Sequence, residues 1–336
     1  MSLPGGAARI KKVLVTGASG QIGSELTPFL RQRYGPANVV AGVRRNAVPA
    51  VLDEGPREAI DVTRRDDLDA AIRRHGIDTI FHLAGVLSAA GEQDPERAWS
   101  VNVGGFINTL EAARAGGVAR VFFPSSIAAF GTGCPRDQTP QDTVLQPATI
   151  YGVSKVTGEL LGEYYVRRFG LDVRGLRLPG IISSVAPPGG GTTDYAVEIF
   201  YAAVKAGSYT CFLSPETMLP LMYMPDCLKA IVKLMEADRS RLTHHCGFNL
   251  TGFSATPALL AEEIRKHLPG FTISYQPDFR QAIADSWPRS LDDAAARDEW
   301  GWRPDHDLAS MTREMLAALS ARLTASPQGR LDATEQ

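Results

Sequence analysis

Tyr151 and Lys155 stand one helical turn apart in Tyr151-Gly152-Val153-Ser154-Lys155, which puts a phenol and an amine on one helix face. A free phenol titrates near ~10, too high for an effective base at neutral pH. A nearby ammonium favours the phenolate, so the spacing predicts that Lys155 pulls Tyr151 down. Ser125 and Ser126 follow the apolar run Val121-Phe122-Phe123, and either hydroxyl could hold a reacting oxygen beside Tyr151. The chemistry implied is removal of a proton from an alcohol, with no metal required. Such a Tyr–Lys pair also recurs by chance on ordinary helices. It gains weight here because a glycine loop and a serine-bearing strand end precede it in the chain.

That loop is Gly17-Ala18-Ser19-Gly20-Gln21-Ile22-Gly23, with glycines spaced G-x-x-G-x-x-G. It follows the apolar run Val13-Leu14-Val15 and opens a helix expected over Glu25–Tyr34. Glycine permits the tight turn, and the helix N-terminus offers N–H groups and partial positive charge to a pyrophosphate. The position in a first strand–helix unit makes dinucleotide binding the better reading of an otherwise common turn. An acid is expected at the end of the second strand, to hold ribose hydroxyls. The chain reads Val40-Ala41-Gly42-Val43-Arg44-Arg45, with Val43 where the acid would stand. Arg44 or Arg45 could instead meet a 2′-phosphate, so NAD is expected with NADP possible.

The elements that must position these residues alternate. Strands are expected near Asn38–Val43, Thr79–Leu83, Arg120–Pro124 and Asp172–Leu178. Helices are expected over Asp66–Arg74, Pro95–Ala115 (interrupted at Gly104-Gly105) and Tyr151–Phe169. This alternation predicts an α/β fold, a Rossmann-type doubly wound parallel sheet, over residues 9–180. After Pro179 the pattern shortens. Helices near Tyr195–Ala206, Pro225–Glu236, Pro257–His267 and Leu308–Leu319 predict a smaller C-terminal substrate-binding lobe, mainly 181–320, with segments near 221–250 returning to the first domain. Residues 1–8 and 326–336 read as disordered ends.

The 336 residues carry 35 basic and 37 acidic side chains, a formal charge of −2, and no long basic run, which argues against nucleic acid and anionic membranes as partners. No apolar stretch is long enough for a membrane span. Cys134, Cys211, Cys227 and Cys246 are far apart, which fits a reducing, cytoplasmic setting. His244-His245-Cys246 is the one cluster resembling metal ligands. Consecutive strand residues alternate faces, so no metal site is expected.

The glycine spacing with the Tyr-x-x-x-Lys segment resembles the extended short-chain dehydrogenase/reductase family. Within it, Leu178–Ser183, Pro188–Ala196, Leu219–Met224 and Ala284–Pro288 resemble short-chain-type L-threonine 3-dehydrogenases, a likeness running roughly from Lys12 to Leu319. The resemblance implies oxidation of the L-threonine C3 hydroxyl to 2-amino-3-ketobutyrate with NAD, in threonine catabolism. On the same analogy, Tyr151, Lys155 and Ser126 carry the chemistry, Ser126 being preferred over Ser125 from the match around Ala129-Phe130-Gly131. Gly17, Gly20, Gln21, Ile22, Arg44, Asp61, Val62, Leu83, Ala84 and Lys155 would hold the cofactor. Ser88, Ser125, Tyr151, Gly190, Thr192, Thr193 and Trp287 would hold the amino acid, with glycine-loop N–H groups suited to its carboxylate. Loop closure near Pro187–Gly191 and a homodimer through the Pro95–Ala115 and Tyr151–Phe169 helices are also expected. The competing readings are a dehydrogenase of a bulkier β-hydroxy-α-amino acid, a nucleotide-sugar epimerase or dehydratase, and a non-catalytic NADPH-sensing protein.

Overall fold

The structure, a computed structural model, describes residues 10–44, 49–186 and 189–325. The expectations for residues 1–8 and 326–336, and those resting on Arg45 and on Pro187 and Pro188, lie outside the described residues. Six strands build most of the main sheet: β1 (Val13–Thr16), β2 (Val39–Val43), β3 (Arg57–Ala59), β4 (Thr79–His82), β5 (Arg120–Ser126) and β6 (Asp172–Leu178). Six shorter strands follow: β7 (Gly180–Ile182), β8 (Ser208–Cys211), β9 (Leu219–Tyr223), β10 (Cys246–Asn249), β11 (Phe253–Ala255) and β12 (Thr272–Tyr275). The seven-stranded sheet has the order β10-β6-β5-β4-β1-β2-β3. Every pairing in it is parallel.

Helices cover both faces, so the inner strands are buried on both faces rather than alternating between core and solvent. Val13 and Val15 join one core layer, with Leu26 and Leu30 of the Gln21–Tyr34 helix and Ile231 of the Met224–Glu236 helix. Leu14 points to the opposite layer, with Leu68, Phe106 and Leu110. Each such burial stabilises the fold by about 1.5–3 kcal/mol.

The order of strands reverses between β1 and β4, and in open α/β sheets the ligand crevice lies beyond the carboxyl ends at that point. Tyr151 and Lys155 start the Ile150–Phe169 helix beside this crevice. Just after β6 the chain turns at Pro179 and enters β7, which pairs with β9 in a separate three-stranded sheet, β11-β9-β7. The second lobe has its own core of Tyr195, Phe200, Leu219, Leu260 and Met315, and a small β8–β12 ribbon. Strand β10 comes back to the main sheet beside β6. Among the described residues, no helix is long and apolar enough to cross a membrane.

One expected element differs. The Pro95–Ala115 segment is a short helix (Pro95–Trp99), a wide π turn (Ser100–Gly104) and a second helix (Gly105–Ala115), so the break lies mainly before Gly104-Gly105. The turn carries Asn102. Its side-chain amide pairs with the Val86 N–H (2.8 Å) and carbonyl (3.1 Å) and also donates to Ser154 Oγ (3.2 Å). Wide turns of this kind gather at functional sites. Here it ties the loop after β4 to the Tyr–Lys helix.

Candidate active site

A cavity of about 790 Å³ opens over the carboxyl ends of the main sheet and runs to the second lobe. Gly17, Gly20, Gln21 and Ile22 line one end. The helix beginning at Gln21 has no side-chain cap on its first turn, so its leading N–H groups face outward with nothing of their own to bind. The loop tolerates no larger residue at two places. A Cβ on Gly23 would lie 2.2 Å from the Gly17 carbonyl oxygen, and one on Gly17, at φ +67°, 2.6 Å from the Ala84 nitrogen. The backbone is thus packed to leave room above it. Arg44, Asp61, Val62, Leu83 and Ala84 line the same end. Val43 is buried at the end of β2, while Arg44 beside it is exposed to the cavity. Asp61 accepts hydrogen bonds from the Thr63 N–H (3.0 Å) and hydroxyl (2.7 Å), which hold its carboxyl below the usual range.

Tyr151, Lys155, Ser125 and Ser126 line the middle of the cavity. The helix that carries the pair starts at a capping Thr149, whose hydroxyl accepts from Gly152 N (3.1 Å). Gly152 lets this first turn touch the segment after Ser126, since a Cβ there would lie 2.2 Å from the Ala128 carbonyl. The two serines separate. Ser126 Oγ accepts from Ala128 N (3.2 Å) and lies beside the Tyr151 phenol, whereas Ser125 Oγ donates to the buried Glu159 carboxylate. Lys155 Nζ donates to the Pro124 carbonyl (2.6 Å) and lies 5.1 Å from the centre of the Tyr151 ring.

The expected lowering of Tyr151 by Lys155 is not what the protein produces by itself. Burial pushes the phenol up to about 12, and the neighbouring Ser126 hydroxyl is the influence that opposes it. Burial also pulls Lys155 down to about 8, against the charge of Glu159. Removing both groups from water disfavours the charged form of each, and this outweighs their mutual attraction.

Ser88, Thr192, Thr193 and Trp287 line the far end. The Ser88 and Thr192 hydroxyls are 3.2 Å apart, joining the loop after β4 to the second lobe. Trp287 is both a core residue of that lobe and part of the wall. Gly190 is the exception among the expected site residues: it sits at φ +88° and is not on the wall, although Gly189 and Gly191 are. The N–H groups of Gly190 and Gly191, expected to face a substrate carboxylate, donate instead to Asp194 Oδ2 (2.7 and 2.8 Å). Both N–H groups are thus satisfied within the turn itself.

Three features escaped the sequence reading. Asp194 lines the cavity, and its place next to Thr192-Thr193 was the available signal. His82 is fully enclosed beneath the glycine loop, with Nδ1 3.3 Å from Thr16 Oγ1 and 3.0 Å from Thr109 Oγ1. Burial holds it near 3 and therefore neutral. Glu159 stands one turn beyond Lys155, at the same spacing that singled out Tyr151. In the His244-His245-Cys246 segment, His244 Nδ1 pairs with Glu299 and Cys246 begins β10.

Residues 13–247 match the family described as NAD dependent epimerase/dehydratase. A Staphylococcus aureus (strain USA300) protein named an uncharacterized epimerase/dehydratase is 48% identical, over 94% of this chain and 98% of that one. The crystal structure of L-threonine dehydrogenase from Clostridium difficile has a TM-score of 0.91 at 48% identity, covering 94% of this chain and 99% of its own. The holo form of an L-threonine dehydrogenase from Cupriavidus necator has a TM-score of 0.89 at 48% identity, covering 92% and 99%. Its apo form matches less closely, at 0.79. A glycine loop at the sheet's switch point, a Tyr–Lys pair across the cavity from it and matches spanning nearly the whole chain lead to one conclusion: this chain belongs to the NAD dependent epimerase/dehydratase family.

Proposed function

We propose that the protein is an L-threonine 3-dehydrogenase, oxidising the C3 hydroxyl of L-threonine to 2-amino-3-ketobutyrate. The observation that carries this reading is a single cavity lined by Tyr151, Lys155 and Ser126 together with Ser88, Thr192, Thr193 and Trp287. The threonine dehydrogenases among the solved structures, similar over more than nine-tenths of the chain, support it. A nicotinamide dinucleotide suits the residues present: an uncapped helix N-terminus for the pyrophosphate, glycines that cannot carry a Cβ, and Asp61, Val62, Leu83 and Ala84 along the adenosine side. When bound, that group supplies the hydride acceptor and a positive charge beside Tyr151.

The chain's own residues then divide the work. Tyr151 takes the hydroxyl proton of the substrate. Ser126 hydrogen-bonds the same oxygen and keeps it aligned, while Lys155 supplies a fixed cation behind the phenol. Thr192, Thr193, Ser88 and Trp287 hold the amino-acid end and exclude water. Asp194 keeps the Gly190-Gly191 turn folded, so this wall is in place before substrate arrives.

For the cofactor, we read Val43 as removing the acid that favours NAD and Arg44 as admitting the 2′-phosphate of NADP. For assembly, we read the protein as a homodimer. Val153, Leu160 and Tyr164 form an exposed apolar stripe on the Ile150–Phe169 helix, with Trp99 and Ile107 exposed on the neighbouring segment. The four buried, unbridged cysteines support a reducing compartment such as the cytoplasm.

The test is turnover, followed by nicotinamide absorbance, with L-threonine, phenylserine and UDP-glucose offered separately. Oxidation of L-threonine at the highest kcat/KM is expected. Reaction with UDP-glucose alone would replace this reading by the epimerase one. Tight cofactor binding with no turnover of any of the three would favour a sensor.

A further inference from the structure

The end of β5 meets the Ile150–Phe169 helix in three successive contacts. The Pro124 carbonyl accepts from Lys155 (2.6 Å), the Ser125 hydroxyl donates to Glu159, and Ser126 lies beside the Tyr151 phenol. Three adjacent strand residues thus engage three helix residues spaced one turn apart. Two of those helix residues line the cavity, but Glu159 does not. Glu159 is 5% exposed and takes a two-point contact from the buried Arg177 guanidinium, at 3.0 Å to Nε and 2.9 Å to Nη2. Arg177 is itself held by the Gln141 carbonyl (2.8 Å) and Asn249 Oδ1 (3.1 Å), and stacks 5.0 Å from the Phe130 ring centre. β10 makes room: Gly247, at φ +130°, presses on the carboxyl group, and a Cβ there would come within 2.6 Å of it.

A buried ion pair is a weak source of stability, because desolvation offsets the attraction, and apolar residues of similar volume serve the core as well or better. Its position accounts for it differently. Resting on the dehydrogenase reading above, we infer that Glu159 is a positioning residue for the proton-transfer pair: it locks the β5 end in register with the helix and supplies the negative charge that keeps the Lys155 ammonium in place. Asn249 and the Gln141 carbonyl hold the Arg177 guanidinium against the carboxylate.

The groups around Lys155 make the expectation specific. On its own helix it has Tyr151 and Glu159. His82 stands at the end of β4, Arg177 on β6 and the Cys246 thiol on β10, while Glu92 meets the start of the helix through Ile150 N (2.8 Å). His82 is neutral, and burial keeps Cys246 a thiol. Glu159 is the charge that opposes the burial of Lys155. Its loss, which also uncovers Arg177, must make Lys155 give up its proton at lower pH.

The measurement is competitive labelling of lysines with acetic anhydride across pH, read by mass spectrometry on the whole protein without cofactor or substrate. In Glu159→Gln, Lys155 is expected to titrate about one pH unit lower than in the wild type. In Glu159→Asp, which keeps the charge, it should stay within about 0.3 units. The alkaline limb of kcat/KM for L-threonine should follow the same order, whereas a residue that only filled space would lower the rate without moving the limb. Should Glu159→Gln fail to fold, the double variant Glu159→Gln/Arg177→Met leaves no unpaired charge and must still titrate below wild type. Coincident Lys155 titrations in the wild type and the Gln variant would overturn the inference. Because labelling needs no turnover, absence of threonine oxidation would count against the dehydrogenase reading and not against this one.

Discussion

Replacing Tyr151 by Phe removes the phenolic oxygen while keeping the ring that packs against the second-lobe core. Turnover is expected to fall by at least about 10²-fold, with cofactor affinity, measured by fluorescence titration, nearly unchanged. Tyr151 is inactive while it holds its proton, and burial raises the value at which that proton leaves. The rate should therefore climb as pH rises from neutrality, until Lys155 begins to lose its proton. Initial rates across that range check the sign, and a rate that falls steadily with rising pH would remove Tyr151 as the base. Val43→Asp restores an acid at the end of β2 and should raise the NAD-over-NADP ratio of kcat/KM by about tenfold or more, the size of one hydrogen bond to a charged group. At this scale the sequence picked out side chains that the fold brings into one cavity, as at Tyr151, Lys155 and Ser126. It was misleading where groups compete. Nothing in a one-dimensional reading weighs burial against Lys155, or shows Asp194 taking the two N–H groups meant for a substrate.

Among the elements, the glycine loop carries the sharpest steric demand. Gly23→Ala would drive a methyl into the Gly17 carbonyl. The loop must shift, at a cost of about 1–3 kcal/mol. Cofactor affinity should drop sharply while the melting temperature falls modestly, checked by fluorescence titration and calorimetry. The buried strands and their helices were legible because apolar runs such as Val13-Leu14-Val15, Val39-Val40-Ala41 and Val121-Phe122-Phe123 mark strands buried on both faces. β3 was not, since Arg57-Glu58-Ala59 is a polar edge strand recognisable only from its pairing with β2. β8 and β12 stayed hidden for a similar reason: both are short, and each carries side chains exposed at its solvent face. The π turn at Ser100–Gly104 has no sequence period of its own; the Asn102 contacts to Val86 and Ser154 hold it.

For the whole molecule, one chain encloses the cavity between its main sheet and its second lobe, and an exposed apolar stripe is left on the Ile150–Phe169 helix. Leu160 is 67% exposed and Tyr164 53% exposed on a helix whose other face is core. Sedimentation at micromolar concentration should give a dimer mass, and Leu160→Glu should shift it to that of one chain. A wild-type monomer would leave the apolar stripe unexplained. The change from long, evenly alternating elements to short irregular ones after Pro179 was visible in the sequence, because that pattern follows from the burial of a parallel sheet on both faces. Which wall each loop contributes was not visible, since contacts such as Ser88 with Thr192 join residues far apart in the chain. The central claim is that the C3 hydrogen of L-threonine leaves as hydride while Tyr151 takes the hydroxyl proton. L-threonine deuterated at C3 tests it directly. Reduced nicotinamide one mass unit heavier is expected, formed more slowly than with unlabelled substrate and at least about 10²-fold more slowly still by Tyr151→Phe. Reduced cofactor that carries no deuterium would contradict it.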